Sequence, residues 1–227
     1  MNWHYIKDEA NYTLLHFNKG LLYTIKELFT RPGATIKEFI EGKRINHYKP
    51  LLLVFVLAGV SGFLSLKMDM KTMMQNYNTN NLNDKIMQEY TNVMHEMFSH
   101  YAFLEILALP IVSFASWLAF KKWGYNYIEN IIINCFATGQ RLVFSIVCIL
   151  FYLVIPAKYL GQAGIITSLA TFGFTIWTYA SLYKDKKKFE VFLRISLFLL
   201  LLLVIAFILM ILFIIVFFAY LKKTGRI

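Results

Sequence analysis

Charge is scarce in this chain. Only 16% of its 227 residues are Asp, Glu, Lys or Arg, against about a quarter in an ordinary soluble domain. Cysteine is scarcer, with Cys135 and Cys148 alone. On one helix they would stand roughly 20 Å apart, too far for a disulfide. There is no CxxC pair, and the stretch from Met1 to Glu9 lacks an apolar core, so no cleavable signal peptide is expected. No Ser/His/Asp order, phosphate-binding Walker loop or GxGxxG fingerprint is present. His95-Glu96 is followed by His100 rather than a histidine at 99, so the zinc-protease pattern HExxH is missing. These absences weigh against an enzyme and against a resident cofactor.

Long apolar runs fill the space that charge leaves. Hydrophobic residues make up 58% of the chain, which marks a polytopic membrane protein. The expected fold is all-α, a transmembrane helix bundle of about five spans with basic amphipathic helices ahead of it. The net charge is +10. Lys and Arg flank apolar runs and come without a base-stacking platform, so anionic lipid and membrane orientation explain them and nucleic acid is not an expected partner.

Residues 1–50 read as the cytoplasmic or interfacial part, and 51–227 as the bundle. Leu14, Leu15, Phe17, Leu21, Leu22, Ile25, Leu28 and Phe29 recur at helical spacing. Arg31-Pro32-Gly33 is expected to stop that helix, with Pro removing a donor and Gly freeing the turn. A second helix carries Ile36, Phe39 and Ile40 on one side and Lys37, Glu38 and Glu41 on the other. Such helices lie in the membrane interface; a cytoplasmic hairpin packed on its own bundle is the alternative. Arg31, Lys43, Arg44 and Lys49 are the candidates for binding lipid headgroups, and plain determination of topology would account for them equally.

The string from Gly20 through Arg31-Pro32-Gly33, Ile36, Glu38-Phe39-Ile40, Gly42-Lys43-Arg44 and Tyr48-x-Pro50 resembles a family of uncharacterised Bacteroidota polytopic membrane proteins. Gly124-Tyr125-Asn126-Tyr127-Ile128-Glu129 is similar to its second landmark. Many members carry an N-terminal zinc ribbon, which is missing here. More loosely, the layout resembles the five-span Yip-type membrane proteins. The resemblance implies a multi-pass protein of the bacterial inner membrane and a scaffold or adaptor rather than an enzyme. Its expected partners are membrane lipids and other membrane proteins or a second copy of itself.

The spans are expected at Leu51–Leu66, Tyr101–Phe120, within Tyr125–Pro156, at Gly164–Tyr183 and at Ile195–Tyr220. Gly59 and Gly62 would let the first approach its neighbours closely. An extracytoplasmic insertion occupies about 67–100. Tyr125–Pro156 has two readings. As one long span it places Asn130, Asn134, Thr138, Arg141 and Ser145 on one face, with Arg141 near mid-membrane. Otherwise Tyr125–Gln140 is an interfacial helix and Arg141 snorkels at its boundary. The second is preferred, because Leu142–Pro156 is nearly long enough to span alone.

The fourth span carries Thr167, Thr171, Thr175, Thr178 and Ser181 in a stripe. Such a stripe either lets helices pack and cross-bond or lines a polar path, and with Glu105, Asn134, Thr138 and Arg141 it would suit a small transporter or channel. The last span is almost pure Leu, Ile, Phe and Val and is expected to be the most lipid-exposed. Residues 1–50 hold eight Lys or Arg, 121–122 two and 184–194 five, against seven on the opposite side. That imbalance places the N-terminus in the cytoplasm. Finally, Met68, Met70, Met73 and Met74 with His95 and His100 form a thioether and imidazole set that would suit Cu(I) in an extracytoplasmic copper-handling protein.

Overall fold

The computed structural model describes residues 20–67, 92, 93, 96, 100–156 and 159–223, and among them there are helices and turns with no strand. α1 covers residues 20–30. α2 is Pro32–Ile40, α3 Pro50–Lys67, α4 Tyr101–Phe120, α5 Tyr127–Tyr152, α6 Leu160–Leu182 and α7 Lys188–Lys223, with a 3-10 turn, Lys121–Trp123, after α4. The protein is an all-α bundle. α5 packs against α3, α4 and α6, α7 leans on α4 and α6, and the α1–α2 hairpin closes one end by docking α2 on α5 and α6.

The break between α1 and α2 is one residue long. Arg31 leaves the helical region at φ −146°, and Pro32 opens α2 at its first turn, where a missing N–H has no consequence. Gly33 therefore sits inside a helix rather than in a turn. Its role is proximity: a Cβ there would lie 2.2 Å from the Ser181 carbonyl carbon on α6. α2 ends where Gly42, at φ +100°, donates to Phe39 O and Lys43 N donates to Glu38 O. This is a Schellman closure that only glycine adopts without strain.

Four helices are long and apolar enough to cross a membrane: Phe103–Trp123, Tyr127–Tyr152, Leu160–Leu182 and Lys188–Phe218. The apolar helix Pro50–Ser65 is shorter, so the expected five spans stand as four of full length and one short. In α3, Leu53, Val54, Leu57, Ala58 and Ser61 are buried. The close approach lies opposite them at Gly139, whose added Cβ would come 2.7 Å from Leu53 Cδ2, whereas Gly59 faces open space.

Tyr127–Tyr152 is one continuous helix of 26 residues, about 39 Å long at 1.5 Å per residue. The preferred division into an interfacial helix and a separate span is corrected here. An interfacial helix would turn its polar side chains to water, but Asn130, Asn134, Thr138 and Gln140 are buried inside the bundle. The helix starts at a capping box. Asn126 Oδ1 accepts from Glu129 N, and the Glu129 carboxylate accepts from Asn126 N, so Glu129 closes a helix end.

α7 packs through its first half, where Val191, Ile195 and Phe198 are buried and Leu199, Leu201, Leu202 and Ile205 lean on the core. None of its most apolar window is fully buried, which in a bilayer leaves most of it facing lipid.

Candidate functional site

The hairpin end is built from residues that grip one another. Thr24 is fully buried, its hydroxyl donates to Gly20 O, and it accepts from Tyr48 N at 2.7 Å. Phe39 meets Phe136 edge-on at 5.2 Å. Arg44 lies over the Phe39 ring at 5.3 Å and donates Nε to Phe39 O. The Arg31 guanidinium bridges Glu27 and Glu38, with 2.6 Å to Glu38 Oε1. Those bonds hold the Glu38 carboxyl below its usual range and raise Arg31 further. His47 stands between Tyr23 and Phe39, with Nε2 3.7 Å from Glu38. Its burial outweighs the attraction of Glu38 and pushes its pKa down. Lys37 reaches across to Asp185 at 2.6 Å and lowers the pKa of that carboxyl.

Three of the four headgroup candidates come together. Lys43, Arg44 and Lys49 are exposed on the turn between α2 and α3, and among the described residues none of them is in an ion pair. Ile45 stands fully exposed among them. Composition did not single it out, although an apolar residue between Arg44 and Lys49 in a basic turn is a readable signal. Arg31 is separated from this group by its commitment to the two glutamates.

The same end collects the other basic loops. Arg194 donates to Ala119 O at 2.5 Å and lies over Trp123, and Lys121 lies over Trp117. Beneath them Phe120 stacks on Tyr179 and Tyr183 at 5.0 and 4.8 Å.

A polar seam runs through the bundle. Ser116 donates to Asn130 Oδ1 at 3.0 Å and accepts from Asn134 Nδ2 at 2.8 Å, while Tyr179 OH donates to Asn134 Oδ1 at 3.0 Å. Gln140 accepts from Thr178 and donates to Leu28 O, both at 2.7 Å. Gln140, Ser116 and Tyr179 were not among the sequence candidates, because their partners come from other helices. Arg141 donates Nη2 to Thr138 Oγ1 at 2.9 Å. Glu105 is half-buried on α4, and no carboxylate pairs with Arg141 among the described residues.

The threonine stripe is spent on helix contacts. Thr167 donates to Ala163 O and meets Tyr152 OH, Thr171 donates to Ser168 O, and Thr175 donates to Thr171 O. Ser181 accepts from Gly33 N.

Met68, Met70, Met73, Met74 and His95 lie outside the described residues. His100 is exposed, 3.9 Å from Glu96, and the described residues hold no group of three His, Cys, Asp or Glu side chains placed for a metal.

Four apolar helices of spanning length define a multi-pass helical membrane protein. A family model described as "Protein of unknown function (DUF3667)" matches residues 18–62, the stretch that forms the hairpin, its basic turn and most of α3. No curated protein matches the chain, and no solved structure does.

Proposed function

We propose that the protein is a non-enzymatic scaffold of the bacterial inner membrane, with its N-terminus in the cytoplasm. Its basic end holds anionic lipid and its apolar flanks hold partner membrane proteins or a second copy. The observation that carries this reading is the turn ahead of α3, where Lys43, Arg44 and Lys49 are exposed around a fully exposed Ile45. A basic turn with an apolar tip suits a leaflet of anionic lipid, where each Lys or Arg near the surface contributes about 1 kcal/mol. Basic loops on the cytoplasmic side also fit the rule that orients membrane proteins. The threonine hydroxyls, already bonded within and between helices, favour this reading over a polar transport path. The reading includes no cofactor and no catalytic turnover.

Native mass spectrometry after gentle extraction from the protein's own membranes tests it. Co-purifying protein or stoichiometric anionic lipid is the expected result. A bare chain carrying copper would instead favour the Met68, Met70, Met73 and Met74 site. A bare homo-oligomer without lipid would favour transport.

A further inference from the structure

Four arginines fall within the described residues, and three of them have either carboxylate partners or both a carbonyl and a ring face. Arg31 has two carboxylates, Arg44 a carbonyl and a ring face, and Arg194 a carbonyl and a ring face. Arg141 has one neutral hydroxyl, that of Thr138. Its Nε is sealed from solvent without a hydrogen-bond partner among the described residues, while the residue as a whole is only half-buried. It lies about 21 Å along α5 from Tyr127, at 1.5 Å per residue. That places it well inside the spanning helix.

A guanidinium with no carboxylate partner among the described residues, on a membrane-spanning helix, is unfavourable, and such residues mark ligand or ion sites. Resting on the lipid-binding reading above, we propose that Arg141 and Thr138 form an intramembrane site for the phosphate of a membrane lipid, distinct from the basic turn. The chemistry is that of a planar fork, whose free N–H groups suit an oxyanion with two accessible oxygens. The bond to Thr138, one turn nearer the start of α5, draws the guanidinium toward the basic end of the bundle. A lipid whose headgroup lies at that leaflet can bring its phosphate to it.

The test is native mass spectrometry of the full chain in detergent, titrated with phosphatidylglycerol. Arg141→Gln is expected to weaken binding of the tightest lipid by about tenfold or more, as loss of a charge-assisted hydrogen bond implies. Arg141→Lys keeps the charge without the fork and is expected to fall between the two; it also serves if the glutamine variant does not fold. Lys43→Gln with Arg44→Gln is expected to spare that lipid and reduce those bound at higher loading. Unchanged first-lipid affinity in both Arg141 variants would overturn this site while leaving the basic-turn reading to be judged by its own pair. Displacement of the lipid by inorganic phosphate at matching concentration would overturn its assignment to lipid.

Discussion

The side-chain amide of Gln140 donates to the backbone carbonyl of Leu28 at 2.7 Å, tying the middle of α5 to α1 across 112 positions of sequence. Leu28 is 1% exposed and so is Gln140, so this bond closes a carbonyl near the end of α1 that has no water to turn to. Gln140 also accepts from Thr178, which makes it the point where the hairpin, α5 and α6 meet.

Gln140→Leu would leave the Leu28 carbonyl and the Thr178 hydroxyl unpaired in the interior. Each unsatisfied buried group costs about 1–3 kcal/mol. At about 2–4 °C per kcal/mol for a chain of this size, thermal unfolding in detergent should shift down by several degrees. An unchanged midpoint would show that the hairpin does not depend on this bond.

Gly33→Ala and Gly42→Ala should behave differently, although both replace a glycine of the same hairpin. At Gly33 the added Cβ meets the backbone of Ser181 and Leu182 at 2.2–2.4 Å, so α2 must retreat from α6. Hydrogen exchange across residues 20–45 should accelerate. At Gly42 there is open space but φ is +100°, so the effect is a local strain of about 1 kcal/mol with the hairpin still docked. Equal exchange in both variants would contradict the close contact between α2 and α6.

Stability should fall on mild acidification through His47. Its folded pKa lies below the model-peptide value of 6.5 because burial disfavours the imidazolium. The unfolded chain therefore binds the proton more readily, and stability rises with pH across that interval. It should be flat above about 6.5 and decline as pH drops through 6.5 toward the lower folded value. The groups facing the ring are Tyr23, Phe39, Glu38, Glu27 and Arg31. Glu38 and Asp185, both held below their usual values, contribute stability that is lost only at lower pH. His47→Phe should remove the first decline and leave the second. A wild-type profile level from pH 7 to 5 would contradict the placement of His47.

Much of the layout was readable because it depends on local pattern. The stripe of Ile36 and Phe39 on α2, the lipid-facing composition of α7 and the gathering of Lys and Arg before and between helices all follow from spacing. What could not be read was direction. The polar positions Asn130, Asn134, Thr138 and Arg141 share a face by spacing, but whether that face meets water, lipid or protein depends on Ser116 and Tyr179, which lie on other helices. Gly33 looked like a turn residue for the same reason, since Ser181 is 148 positions away. At the site, Lys43, Arg44 and Lys49 were visible as a basic group. The engagement of Arg31 by Glu27 and Glu38 was not, because it needs the fold of the hairpin to bring the three together.

The central claim is that the basic turn ahead of α3 lies at the cytoplasmic leaflet. Replacing Lys43 with cysteine in a chain carrying Cys148→Ser, and labelling with a membrane-impermeant maleimide, tests this most directly; Cys135, fully buried, serves as the silent background. The account predicts labelling in inverted inner-membrane vesicles and none in intact spheroplasts. Labelling of residue 43 from the outside of spheroplasts would contradict it.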